Sequence, residues 1–469
     1  MSTLTMKFGG GSLGTAKALV QVLAIIIDES KRWEHMLIVA SALEGVTDML
    51  LEAALHARVG DQRGYRRIAA TLRTRHLALA DQLPFDSSDR NALKADIDQL
   101  LSDMLDQCQR IAKHLDDELL PSMSDAVVAV GERLSARIIA ALLRQNDIRG
   151  VTVDGTELIV TDDVHGNANP ILERTRENVA DLLFPMLDRD IVPVVTGYIG
   201  ATEAGETTTL GRGGTDFTAS VLSALLEADA LWIWTDVDGM MSADPREIAN
   251  ARVIPALDYN EAAELAYFGA RILHAKMIAP LAKGAIPLRI KNIYRPQKTG
   301  TAISLAADGG KPIIKAVTSI QGLALTRPAS GSMAGITRLV GNTLFKTLGM
   351  RTEVMIASQS SSSSFLVLVI PTSIGIDGVD RLQQALRTKM AEHPEKMPWK
   401  IETVSLVSAI GNSISSAPGL VAAALAKLDD IPILGMAAGP SNCSITVAVS
   451  QANARAAVTR MHELTVKSG

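Results

Sequence analysis

Three short stretches of this chain are apolar, and each runs straight into a glycine or hydroxyl cluster. Residues 36–40 (MLIVA) meet Ser41, residues 191–195 (IVPVV) close at Thr196-Gly197, and residues 230–234 (ALWIW) open into Thr235-Asp236-Val237-Asp238-Gly239. A strand wetted on one side alternates apolar and polar residues, whereas a strand without alternation is buried on both faces. Strands of that kind belong to a parallel sheet covered by helices on each side. The start of the chain agrees: MKF at 6–8 reads as a strand, followed by Gly9-Gly10-Gly11, a helical pattern over 16–30, and the 36–40 strand. The predicted class is α/β with a largely parallel central sheet sandwiched by helices. Such sheets bind ligands at the carboxyl ends of their strands, where this chain places its glycines and hydroxyls.

The remaining pattern sets the organisation. Residues from about 50 to 119 carry leucines at mixed three-four spacing and read as a helical insertion, with His56, His76 and His114 expected at its surface or boundary. Residues 126–130 (AVVAV) read as a further strand ending at Gly131-Glu132, with a helix over 133–144. The small, polar stretch 306–312 reads as a linker. Beyond it, strand, helix, strand, small-polar turn, strand and helix occur twice, as an internal repeat of about 75–80 residues. The first copy turns at Gln359-Ser360-Ser361-Ser362 and the second at Gly439-Pro440-Ser441-Asn442.

Composition excludes several classes. A chain of 469 residues is long for one domain, and a soft prior gives about three. Aromatics are 3%, net charge is −5 and no basic block occurs, which argues against nucleic acid as the main partner. Cys108 and Cys443 are the only cysteines and show no CxxC spacing, so neither a zinc site nor a disulfide framework is expected. No secretory pattern opens the chain and no apolar run reaches ~20 residues. The expectation is a cytoplasmic protein with no membrane partner.

The densest chemistry lies in residues 207–246. Arg212 stands between Gly211 and Gly213-Gly214, with Asp216 two residues on. A guanidinium, bare amides and a carboxylate at a helix mouth suit phosphate and carboxylate ligands. Taken alone, GRGG equally describes a tight turn before a surface helix.

Six blocks together resemble the aspartokinases, members of the amino-acid kinase family with tandem C-terminal ACT domains. They are KFGGGS at 7–12, SALEGVTD at 41–48, GERLS at 131–135, TTTLGRGGTD at 207–216, WTDVDGMMSADPR at 234–246 and YNEAAELAYFGARILH at 259–274. The resemblance covers nearly the whole chain. It implies an amino-acid kinase fold over 1–305, with the helical insertion at about 50–120, and two α+β ACT units of ferredoxin-like type at 321–395 and 396–469, with 313–320 a candidate to complete the second. It also implies ATP-dependent phosphorylation of the L-aspartate side-chain carboxylate, the first step towards lysine, threonine and methionine. A bifunctional aspartokinase–homoserine dehydrogenase is not expected, because no second nucleotide-binding unit follows the repeat.

The resemblance implies roles for individual residues. Lys7 is the catalytic lysine and Asp216 the carboxylate that organises it. Gly9, Gly10, Gly11 and Ser12 form the phosphate loop, Gly11 standing where relatives carry Thr or Ser. Ser41, Thr47, Glu132, Arg212, Gly213, Gly214 and Thr215 hold aspartate, with Glu132 near its ammonium and Arg212 on a carboxylate. Thr235, Asp236, Met241, Asp244, Arg246 and Arg271 hold the nucleotide, Met241 replacing a frequent Tyr and Arg271 a frequent Lys. Mg²⁺ is held mainly through ATP phosphates, with no dedicated protein cage. Gln359, Ser360 and Ser361 form the better effector turn, for threonine or lysine, and the ACT pair makes a homodimer or larger homo-oligomer. Rival readings are a kinase of glutamate or acetylglutamate, and a catalytically silent amino-acid sensor.

Overall fold

Strand Thr3–Phe8 is buried along its whole length. It pairs in parallel with His35–Ala40 on one side and Ala230–Thr235 on the other. In the computed structural model the sheet continues outward through Val192–Thr196 to Gly150–Val153, and on the far side through Leu288–Asn292 to Thr301–Ser304. All these pairings are parallel except the last. The structure describes residues 2–113, 119–269, 273–305, 312–327, 333–348, 354–360, 363–369, 375–392, 399–438 and 441–465. The chain divides into two units, Met1–Met240 with Ile272–Ala307, and Met241–Arg271 with Asp308–Gly469. The first holds the parallel sheet. Segment Met241–Arg271, which a boundary at 305 would leave with that sheet, groups instead with the C-terminal chain.

The helical insertion forms Val46–Arg58, Gln62–Gln82 and Ser87–Lys113. Two sequence expectations fail nearby. Residues 126–130 are not a strand, because helix Leu120–Val128 is followed at once by Val130–Gln145. Val127, Val128 and Val130 are buried against other helices. A short apolar run buried all round carries no periodicity that separates helix from strand. His76 is not a boundary residue either. It is fully buried, with Nδ1 donating to the Leu72 carbonyl at 2.7 Å. His56 is partly exposed and sits 2.8 Å from Asp61, while His114 lies outside the described residues.

The second unit is built on two long antiparallel strands, Ile313–Arg327 and Lys400–Asn412. Residues 313–320 lie opposite 406–412, and residues 322–326 lie opposite 400–404. Ser364–Val369 and then Val354–Gln359 extend the sheet beside residues 322–327. Ser444–Ser450 and then Gly435–Ala438 extend it beside residues 404–410. Each wing has its own core. Leu323, Leu325, Leu366 and Leu368 pack with Val340, Leu344 and Leu382, while Val407, Ala409, Ile445 and Val447 pack with Ala424, Leu428 and Met461. Ala243 and Ile248 belong to that second core. The Ser242 carbonyl accepts the Val317 N–H at 2.8 Å, and the Ser242 hydroxyl bonds His462 Nε2 at 2.8 Å. Lys315 and Glu261 form a buried ion pair at 2.8 Å, and the same Glu261 oxygen accepts the Asp258 N–H at 2.7 Å. Removing one partner of such a pair strands a buried charge.

Burial pushes the His76 ring down to about 4. The unfolded chain therefore takes up this proton at a pH where the folded chain does not. His76 should cost no stability above pH ~6.5 and a rising amount below it, reaching roughly 3 kcal/mol near pH 4. Urea unfolding of wild type and His76→Leu from pH 7.5 to 4.5 tests this. The difference between the two should change with pH in the acid range; a constant difference would refute the assignment.

Candidate active site

The carboxyl ends of four adjacent strands are level. Phe8 lies opposite both Ala40 and Trp234, and Ala40 opposite Thr196. The segments that leave these ends carry Gly9 to Ser12, Ser41, Thr235 and Asp236.

Lys7, 8% exposed, is the penultimate residue of its strand. Its Nζ lies 2.5 Å from Asp216 Oδ1. Asp216 sits in the first turn of helix Gly214–Leu225, so the pair fixes the ammonium between strand end and helix mouth. The following turn, Gly9 to Ser12, is tied down by Trp234, whose carbonyl accepts the Ser12 hydroxyl at 3.2 Å. Gly10 is closed to any side chain, since a Cβ there would stand 2.9 Å from the Ala42 carbonyl oxygen. Gly11 faces open space, so the Ser or Thr of relatives would fit, and its absence here is a chemical rather than a steric difference.

Ser41 continues the sheet ladder by donating its N–H to Phe8 at 3.1 Å, and its carbonyl accepts the Ser135 hydroxyl at 2.6 Å. Thr47 is the second residue of helix Val46–Arg58, whose N-cap is Gly45 in a left-handed conformation. Neither hydroxyl residue caps that helix. Glu132, in the first turn of Val130–Gln145, is 3% exposed. Its Oε1 accepts the Ala42 N–H at 3.2 Å. Its Oε2 is buried with no hydrogen-bond partner among the described residues. Burial pushes this carboxyl up to about 8, against the pull of the backbone hydrogen bonds.

Arg212 is exposed, in a turn whose flanking Gly211 and Gly213 have φ of 75° and 70°. That left-handed backbone suits glycine, and a Cβ on Gly213 would meet the His274 Cβ at 2.3 Å. His274 caps the short helix Ala275–Met277. Burial holds its ring below the ordinary value, helped by Lys276 and Arg212 and opposed by Asp216. Thr215 packs against Gly197, where a Cβ would come within 2.3 Å of the Thr215 methyl. Tyr198 adopts φ 71° and bonds the Thr209 side chain, within electrostatic reach of Glu132.

Thr235 ends its strand, and its hydroxyl donates to the exposed Asp236 carboxylate at 3.2 Å. Asp238 is the organiser of this loop. It accepts Asn292 Nδ2 at 2.7 Å and lies 2.9 Å from both Arg295 and Lys298. Burial opposes its ionisation, yet Lys298, Asn292 and Arg295 together hold its carboxyl below the usual range.

Met241, Asp244 and Arg246 belong to the second unit. Met241 forms an antiparallel bridge with Val253. Asp244 accepts the Arg246 N–H at 2.9 Å and pairs with its guanidinium at 2.5 Å. Gln359 ends strand Val354–Gln359, and the Ser360 and Ser363 hydroxyls lie 2.9 Å apart. Arg271 and Ser361 lie outside the described residues. Among the described residues no cluster of His, Cys, Asp and Glu has the geometry of a metal site, and no helix is long and apolar enough to cross a membrane. The parts played by Asp238, Tyr198 and His274 were not foreseen. Asp238 stands inside the quoted TDVDG run and His274 closes the quoted 259–274 block, whereas Tyr198 carries no motif and is placed by tertiary contacts.

The first-unit loops thus offer a glycine turn beside a fixed ammonium, an arginine on a second turn, and a buried carboxyl with one oxygen unsatisfied. These groups complement a phosphate chain, a carboxylate and an ammonium.

The model of the amino acid kinase family matches residues 2–292. Aspartokinase 1, chloroplastic, of Arabidopsis thaliana is 30% identical over 100% of this chain and 81% of its own length. The bifunctional aspartokinase/homoserine dehydrogenase 1, chloroplastic, of the same plant is 31% identical over 97% of this chain and 50% of its own. The chain thus spans about half the length of the first curated relatives it matches. Among solved structures, E. coli aspartokinase III in complex with aspartate and ADP (R-state) aligns with a TM-score of 0.80 at 26% identity, covering 98% of this chain and 99% of that one. The same enzyme in complex with lysine and aspartate (T-state) also aligns at 0.80, over 99% and 100%. On the matches to the family model and to aspartokinase 1, the chain belongs to the amino acid kinase family, among the aspartokinases.

Proposed function

We propose that this chain transfers the γ-phosphoryl group of Mg-ATP to the side-chain carboxylate of L-aspartate, giving 4-phospho-L-aspartate and ADP. The observation that carries the reading is Glu132, a buried carboxyl with one oxygen unsatisfied, in the same unit as Arg212 and the Lys7–Asp216 pair. One group suits the ammonium of an amino acid, one its carboxylate, and one the transferring phosphoryl group. The aspartate side chain has a reference pKa of about 4 and is a carboxylate nucleophile without any general base. Its oxygen bonds to the γ-phosphorus while the bond to the β–γ bridging oxygen breaks and ADP leaves. The protein's part is positioning and electrostatics. Lys7, held by Asp216, balances charge on the phosphoryl oxygens, with Gly9, Gly10, Gly11 and Ser12 lining the phosphate turn. Ser41, Thr47, Gly213, Gly214 and Thr215 complete the aspartate site. Thr235 and Asp236 are the nucleotide residues of the first unit, and Mg²⁺ arrives on the ATP phosphates.

The C-terminal repeats act as paired ACT units, with Gln359, Ser360 and Ser361 at the effector turn. The lysine complex of E. coli aspartokinase III favours lysine over threonine as effector. The edge strand Gly435–Ala438 and its approach leave Ile433, Leu434 and Met436 exposed, which supports a homodimer through this unit. The absence of a spanning helix among the described residues is consistent with a cytoplasmic enzyme.

ADP release from Mg-ATP with aspartate, compared with glutamate, tests the central claim. No turnover with aspartate in folded protein would sink it, and turnover with glutamate alone would promote a different amino-acid kinase. Lys7→Ala should lower kcat by about 10²–10³-fold with little change in KM. Arg212→Ala should raise the aspartate KM by roughly 10- to 100-fold. Added lysine should suppress turnover more than threonine.

Glu132 generates a separate prediction. It is largely protonated in the free protein at neutral pH, so the ammonium of aspartate must displace that proton. Aspartate affinity should therefore rise between pH 6 and 8 and level off above. Calorimetry in two buffers of different ionisation enthalpy should show proton release. In Glu132→Gln the pH dependence should vanish; if it persists, the titrating group is another.

A further inference from the structure

Helix Leu120–Val128 carries a carboxylate that the catalytic reading does not use. Asp125 is 5% exposed and collects four donors from two other segments. Its Oδ1 accepts the Thr209 hydroxyl at 2.7 Å. Its Oδ2 accepts the N–H of Thr209 at 3.0 Å, the N–H of Gly166 at 2.9 Å and His165 Nδ1 at 3.2 Å. His165 in turn sits 3.5 Å from Glu206, on the far side of its ring.

The three segments meeting at Asp125 are not equivalent to the rest of the scaffold. Helix Leu120–Val128 runs directly into Val130–Gln145, which bears Glu132. Thr209 ends strand Thr207–Thr209, three residues before Arg212. The loop around Gly166 braces the same turn, because a Cβ on Gly211 would stand 2.6 Å from Asn167 Oδ1, which also accepts Lys276 Nζ at 2.8 Å. Water cannot readily replace these bonds, since Thr209 and Asp125 are both buried. Loss of the carboxylate leaves buried donors unpaired and lets the segments move apart.

We propose that Asp125 is a positioning residue that fixes the Arg212 turn against the helix carrying Glu132, and so pre-forms the site for the amino-acid head group. The inference rests on the reading of Glu132 and Arg212 as the aspartate-binding pair. The nucleotide loops hang from other strand ends, so a loosened Asp125 contact should act on one substrate and spare the other.

The test uses Thr209→Val, Thr209→Ser, Asp125→Asn and Asp125→Ala in the full chain, with both KM values, kcat and the melting temperature measured for each. Thr209→Val, which also gives up the Tyr198 contact, should raise the aspartate KM at least about tenfold, the scale of a lost buried hydrogen bond to a charged group, and leave the ATP KM in place; Asp125→Asn keeps the Tyr198 contact and isolates the carboxylate. Thr209→Ser keeps the hydroxyl and should restore the wild-type aspartate KM. Asp125→Asn should resemble Thr209→Val, and the double variant should be no worse than the worse single one. Asp125→Ala should be the most impaired; if it fails to fold, Thr209→Val decides. Unchanged aspartate KM in folded Thr209→Val and Asp125→Asn would overturn the proposal. So would a parallel rise in both KM values that tracks the melting temperature. Arg212→Ala separates the two levels: if it leaves aspartate KM unchanged, the binding reading itself fails. If it raises that KM while Thr209→Val does not, only the role of Asp125 fails.

Discussion

The Lys7–Asp216 ion pair sets the terms for the rest of the first unit. Lys7 stands in a strand with neighbours on both sides and every residue buried, a place where an unpaired ammonium would be costly. Its partner arrives some two hundred residues later, on the first turn of helix Gly214–Leu225. That helix must therefore dock with its mouth at the strand end. The docking is enforced by contact: Thr215 against Gly197, and Gly213 against His274. A buried ammonium at the strand end thus dictates where a distant helix begins, and the glycines around it are consequences of that closeness.

Polar groups elsewhere in the site are held by the same economy of buried partners. Ala42 gives its N–H to Glu132, and Ser135 gives its hydroxyl to Ser41. Asp238 gathers Asn292, Arg295 and Lys298. The second oxygen of Glu132 is buried without a hydrogen-bond partner among the described residues. A buried carboxyl with one oxygen unsatisfied carries a preference for a cationic partner.

Much of this was legible in the chain. The strands at 36–40 and 230–234 announced themselves because burial on two faces erases alternation, and the blocks at 7–12, 131–135 and 207–216 singled out Lys7, Glu132, Arg212 and Asp216 as candidates. Local pattern failed where burial was equally complete but helical, as at 126–130, and where one polar residue faced a core, as at His76. It could not show that Ser242 bonds Val317 and His462, since partners so far apart leave no local trace. Asp125 and Tyr198 escaped for the same reason: each acts on a motif residue from outside the motif.

The two long strands of the C-terminal unit have a consequence for the history and engineering of such chains. Residues 313–320, at the start of the first repeat, border the strand of the second, and residues 400–404 border the strand of the first. The repeats are joined like clasped hands, each lending a finger to the other's sheet. A cut between them would sever a strand from the half that uses it, so the pair is one structural piece, although its sequence reads as two.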